Sequence, residues 1–189
     1  TISAYAQNNG GTAPVAVDYT AAGVTGIGGA GQPTVAQINA ALADADVIGT
    51  AADSTAEVQG IVDAYQAILA NADGTANNAT SPSAADYTKL GVTGIDTAAE
   101  LGLLGDVIDG KTAADVATPA QIQALADAAA ATVAYNGTNT APTQAQLEAL
   151  GVTGLTADNL AAVLAAIDAA NSDGTPIASL AELQGVAAA

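Results

Sequence analysis

The chain has 189 residues, with nineteen acidic side chains against two lysines and no arginine or histidine, for a formal net charge of −17. This balance excludes nucleic acid as a partner and disfavours anionic membrane surfaces, because phosphate binding needs clustered basic side chains. Half the residues are hydrophobic, yet Phe, Trp, Met and Cys are absent. The core must therefore be built almost wholly from Ala, Val, Ile and Leu, with a few tyrosines as packing residues, and there is no thiol or disulfide chemistry.

In chain order, residues 1–10 read as the tail of a helix that ends at Asn9-Gly10. Residues 11–74 form a first repeat. Pro14 is followed by Tyr19, Ala22 and the motif Gly23, Val24, Thr25, Gly26, then by Ile27. A glycine-rich insertion (residues 28–33) separates it from a second segment opening at Thr34, and a third opens at Thr55. Residues 75–137 repeat the pattern with Pro82, Tyr87, Leu90 and Gly91, Val92, Thr93, Gly94, then Ile95, with later segments opening at Thr97 and Thr118. Residues 138–189 repeat it again with Pro142, Leu147, Leu150 and Gly151, Val152, Thr153, Gly154, then Leu155, followed by Thr156 and Thr175. The prolines are 68 and 60 residues apart and the glycines keep the same intervals. A fixed offset at a near-constant period marks tandem modules.

Each segment has helical period. Val58, Ile61, Val62, Tyr65, Ile68 and Leu69 follow an i, i+3, i+4, i+7 pattern, as do Leu160, Val163, Leu164 and Ile167. Thr34-x-x-Gln37, Ser54-x-x-Glu57, Thr97-x-x-Glu100, Thr118-x-x-Gln121 and Thr143-x-x-Gln146 fit the capping box. Thr118-Pro119 and Thr175-Pro176 put proline where a missing N–H costs least. Within Gly-Val-Thr-Gly, the first Gly suits the left-handed residue that closes a helix and the Val suits packing back on the last turn. Asn9-Gly10, Asp73-Gly74, Asn136-Gly137 and Asp173-Gly174 are turn dipeptides. The expectation is an all-α tandem array of three short-helix units, stacked end to end because one Ala-rich unit buries too little area alone.

Catalytic chemistry is missing. Without His, Cys or Arg, the usual nucleophile–base pairs and metal clusters cannot be assembled, and the chain is read as a non-enzyme with no cofactor. Asp106 and Asp109 read as an exposed helix face. Asp44 and Asp46 lie close in sequence, but no EF-hand spacing surrounds them, so Ca2+ has no specific motif. The insertion lacks the lysine of a phosphate-binding loop. No apolar run is long enough for membrane insertion. Asn78-Ala79-Thr80 and Asn136-Gly137-Thr138 have the form of glycosylation sequons.

The two ends complement each other. Ala181-Glu182-Leu183-Gln184-Gly185-Val186 matches Ala56-Glu57-Val58-Gln59-Gly60-Ile61, but the C-terminal segment stops at Ala189 before any Asn-Gly exit. Joining Ala189 to Thr1 restores a third helix of equal length, so Thr1, Ile2, Tyr5, Leu183, Val186 and Ala189 form a candidate assembly seam. The partner it implies is another copy of the chain, head to tail.

Tyr-x-x-(Ala/Leu)-Gly-Val-Thr-Gly-(Ile/Leu), followed by Thr156-Ala157-Asp158-Asn159-Leu160-Ala161-Ala162-Val163 and the Glu-(Val/Leu)-Gln-Gly-(Ile/Val) helix, resembles repeats of very large secreted adhesin-like surface proteins of Gram-negative bacteria. The resemblance covers essentially the whole chain. It implies an extracellular or cell-surface location and a role in a stalk, fibre or biofilm matrix, with no catalytic residues. The alternative is a three-helix binding module that captures a host or matrix protein through one helix face.

Overall fold

The computed structural model describes residues 1–76 and 81–188; the Asn78-Ala79-Thr80 sequon and Ala189 lie outside the described residues. The fold is all-α. Among the described residues ten helices follow one another: α1 (Ile2–Gln7), α2 (Ala16–Ala21), α3 (Val35–Leu42), α4 (Thr55–Asn71), α5 (Ala84–Lys89), α6 (Ala98–Asp109), α7 (Pro119–Ala134), α8 (Gln144–Ala149), α9 (Leu160–Ser172) and α10 (Leu180–Ala187). A 3-10 turn at Gly49–Ala51 precedes α4, and no strand occurs among the described residues.

The helix starts are chemical. All five expected caps form: the N–H of Gln37, Glu57, Glu100, Gln121 and Gln146 donates to the hydroxyl of Thr34, Ser54, Thr97, Thr118 and Thr143 at 3.2–3.3 Å, and the boxes at Thr34, Ser54, Thr97 and Thr143 close with the return bond from the cap N–H. Ser83 and Asp86 make a further box at α5, with Asp86 in the place of Glu or Gln. Pro119 is the first residue of α7, as its missing N–H allows. The second proline behaves differently. α10 opens at Leu180 with Ser179 as its cap, not at Thr175-Pro176. Thr175 is already used by Asp173, whose carboxylate accepts from its N–H at 2.8 Å and from its hydroxyl.

By its contacts the chain forms two compact units, Thr1–Thr93 with Asp109–Ile122, and Gly94–Ile108 with Gln123–Ala189. This division differs from that of the three sequence repeats. One reason is visible inside the first unit, where α4 packs against α5 across the first repeat boundary. That unit's core holds Tyr19, Ile38, Leu42, Ile61, Val62, Tyr65, Ile68, Tyr87 and Leu90, and the second unit's holds Leu103, Leu104, Leu147, Leu150, Ile167 and Leu183. Each Val, Leu or Ile fully buried contributes ~1.5–3 kcal/mol, and each Ala far less. In the first unit the tyrosines supply the missing bulk.

Their hydroxyls are not equivalent. Tyr19 Oη donates to Asn39 Oδ1 at 2.5 Å and Tyr65 Oη to the Val116 carbonyl at 2.9 Å. The Tyr87 hydroxyl is buried without a hydrogen-bond partner, and the corresponding residue of the last repeat is Leu147. An unsatisfied buried hydroxyl costs ~1–3 kcal/mol, whereas a satisfied one contributes ~1 kcal/mol. Tyr87→Phe is therefore expected to raise the unfolding free energy, and Tyr19→Phe and Tyr65→Phe to lower it by ~1 kcal/mol each. Urea unfolding of the three variants checks the order; equal losses at all three positions would contradict it.

Candidate assembly surfaces

The Gly-Val-Thr-Gly segments close α2, α5 and α8 with one geometry. Gly23, Gly91 and Gly151 have φ of 77°, 81° and 101°. Each Gly N–H donates to a carbonyl three residues back, and each Val N–H to one five residues back. The Val24–Tyr19, Val92–Tyr87 and Val152–Leu147 bonds measure 2.9, 3.0 and 3.0 Å. This pair of bonds is the Schellman closure, in which the valine and the residue it reaches back to form an apolar pair. Val24, Val92 and Val152 are buried, as are Tyr19, Tyr87 and Leu147, while Thr25, Thr93 and Thr153 are exposed. Gly26, Gly94 and Gly154 also have positive φ, 76–79°, and turn the chain towards the next helix.

The motif is also a docking point for a glutamine. Thr25 N–H donates to Gln59 Oε1 at 2.9 Å, and Gln59 Nε2 donates back to the Thr25 carbonyl at 3.2 Å. Beside it, the Thr55 hydroxyl donates to the Ala22 carbonyl at 2.7 Å. In the second unit Gln184 Nε2 donates to the Gly151 carbonyl at 3.1 Å. The closing turn of α2 is thus tied to α4, and that of α8 to α10. The sequence carries the signal, since Gln59, Gln123 and Gln184 occupy matching positions in the three repeats. It does not disclose the bond, because the partner lies 34 residues away.

At the N-terminal end, Thr1 stands at the N-cap position of α1 without a side-chain cap bond, Ile2 and Ala6 are buried and Tyr5 is half-buried. α1 closes as α2 does, with Asn9 at φ 49° and Gly10 N–H donating to the Tyr5 carbonyl at 2.9 Å. The helix lies against the turn before α4. Ser3 Oγ donates to the Gly49 carbonyl at 2.9 Å, and a Cβ on Gly49 would come within 2.8 Å of Gln7 Cβ. Tyr65 of α4 and Gly74 just beyond its end bond to the residues before α7, Tyr65 Oη to the Val116 carbonyl and Gly74 N–H to the Lys111 carbonyl at 2.8 Å. α1 and α4 therefore each touch a segment leading into a following long helix, through different residues. They do not match in register. The equal-length join pairs Ala4 with buried Ile68, yet Ala4 is exposed and Ile2 and Ala6 face inward. Two residues turn a helix by roughly 200°, so α1 buries a different face from the corresponding stretch of α4. At the other end, Leu183 is buried and Val186 half-buried.

Electrostatics at these surfaces are those of caps. Hydrogen bonds from Ser54 hold the Glu57 carboxyl below its ordinary value, those from Thr112 do the same for Asp115, and those from Thr175 for Asp173. Lys89 lies 3.7 Å from Asp86, partly exposed, a geometry worth little. The glycine-rich insertion closes on itself, with Gly28 N–H donating to the Pro33 carbonyl at 2.8 Å and Gly29 N–H to Gln32 Oε1 at 3.0 Å. Asn136 uses its Oδ1 within its own turn, accepting from the Thr138 hydroxyl at 2.7 Å. Among the described residues no three His, Cys, Asp or Glu side chains are grouped to hold a metal ion, and no helix is long and apolar enough to cross a membrane.

Comparisons with family models, curated proteins and solved structures return no match.

Proposed function

We propose that the chain is a structural module of an extracellular bacterial filament or adhesin stalk, propagated head to tail from copies of itself. It is read as three copies of a three-helix unit, and the identical closures at Val24, Val92 and Val152 support that reading. The observation that carries the proposal is the position of α1. A six-residue helix touches the turn before α4, and a seventeen-residue helix touches the residues before α7. α10 repeats the opening of α4 residue for residue at Ala181, Glu182, Gln184 and Gly185, and would supply the first half of such a helix to α1. The two half-helices would be set end to end between successive copies, covalently linked or as separate subunits. The acidic surface keeps such a fibre dispersed. No catalytic step is assigned.

The test has two readouts. Mass spectrometry of native material, cleaved at acidic residues, is expected to show either a peptide running from Leu183 through Ala189 into Thr1, or free ends. With free ends, sedimentation velocity should show oligomers that grow with concentration. Free ends together with a monodisperse monomer at high concentration would overturn the proposal.

A further inference from the structure

The packing of α4 on α5 is a template, because α10 repeats the opening of α4 and α2 occupies the place of α5 in its repeat. At Gly60 of α4, an added Cβ would lie 3.7 Å from Lys89 Cε and 3.8 Å from Lys89 Cδ, ordinary contact distances. The Lys89 stem thus covers α4 at this position. α10 carries the same pair of small residues at the same spacing, Ala181 and Gly185 for Ala56 and Gly60. Around Gly185, however, nothing lies within 4 Å of the added Cβ. One surface is covered and its copy is bare.

The matching half is on α2. Ala21 stands seven residues after Pro14, as Lys89 stands seven after Pro82, and it is exposed. One turn earlier Val17 is 68% exposed, and Val15 before it is 55% exposed. The corresponding residues of α5 are Ala85 and Ser83, so apolar bulk has been placed on α2 where the covered junction needs none. Beside this face an open groove of ≈ 420 Å³ begins at Thr1 and Ile2 and is lined by Asp18, Ala21, Thr55 and Val58. It adjoins the start of α1, where the first half of a third helix would run.

We infer that α10 of one copy occupies this groove on the next copy, with Gly185 against Ala21 and Val17, as Gly60 of α4 lies against Lys89 of α5. The inference rests on the head-to-tail reading above and names the surface that reading uses. The occupant is a second copy because α10 carries the residues of the template, at its spacing, with that face uncovered.

The chain has no cysteine, so cross-linking is clean. Ala21→Cys and Gly185→Cys both change exposed positions, and Gly185 has open space for a side chain. The two single variants are mixed and oxidised, with the unmodified chain followed in parallel by sedimentation. The 21–185 disulfide is expected in several-fold excess over the 21–21 and 185–185 pairs, and Thr153→Cys mixed with either variant should give no such preference. Association of the unmodified chain with statistical cross-linking would overturn this interface and leave the head-to-tail reading intact. Statistical cross-linking with no association would overturn this interface, and together with free native ends at Thr1 and Ala189 it would overturn the head-to-tail reading as well.

Discussion

Gly91→Ala is expected to lower the unfolding free energy by ~2–4 kcal/mol, while Gly94→Ala and Gly154→Ala lower it by only ~1–2 kcal/mol. The three glycines share the backbone strain, with φ of 81°, 77° and 76°. They differ in what a methyl group would meet. At Gly91 a Cβ would come within 2.5 Å of Asp44 Oδ1 and 3.0 Å of Asp44 Cβ; at Gly94 and Gly154 nothing lies within 4 Å. Asp44 cannot retreat freely, because its Oδ1 accepts the N–H of Asp46 at 3.0 Å and its Cβ moves only with the backbone after α3. Alanine at 91 therefore adds a steric term to the strain common to all three. Urea unfolding followed by circular dichroism measures the difference. Asp44→Ala in the Gly91→Ala background should recover the steric part and leave the strain. Equal losses at 91 and 94 would show that Asp44 yields without cost.

That comparison marks the limit of what the sequence discloses. Local chemistry was legible. Five capping boxes follow from Ser or Thr three residues before Glu or Gln, and an all-α chain follows from the period of the apolar residues. The closures at Gly23, Gly91 and Gly151 rest on a glycine beside an apolar residue at a helix end. Contacts between distant segments were not legible, because an exposed polar side chain announces no partner. Gln59 and Gln184 bind closing turns about thirty residues away. Asn171 donates to the carbonyls of Thr132 and Tyr135 and accepts the Ile177 N–H, stitching three segments, yet in sequence it is one more asparagine near a helix end. The cap of α10 was misplaced for a related reason. Thr175-Pro176 has the form of a helix start, but Asp173 occupies the threonine and the capping role passes to Ser179. The seam shows the same limit. Counting residues gives the length expected of a joined helix, whereas the buried face of α1 depends on its close packing against Gly49.

The second large effect concerns a glycine that helix propensity would replace. Gly102 lies within α6, where alanine ordinarily gains ~1 kcal/mol. Here a Cβ would come within 2.6 Å of the Ala178 carbonyl oxygen. That atom belongs to backbone held on both sides. Ile177 N–H donates to Asn171 Oδ1 at 3.1 Å, Ala178 N–H to Glu182 Oε2 at 2.8 Å and Leu180 N–H to Asp106 Oδ2 at 3.3 Å. Making room for a methyl group means loosening some of these bonds, each worth ~1 kcal/mol, besides the overpacking itself at ~1–3 kcal/mol. The propensity gain is outweighed, and Gly102→Ala should destabilise by ~2–3 kcal/mol. Gly185→Ala supplies the control. It sits in α10 with open space around it, so the same substitution should stabilise by up to ~1 kcal/mol. Opposite signs for one chemical change, read by urea unfolding of both variants, would locate the close approach of α6 to the segment before α10. A stabilising Gly102→Ala would mean that this segment gives way, and the hydrogen bonds at Ile177, Ala178 and Leu180 would then be weaker constraints than their geometry indicates.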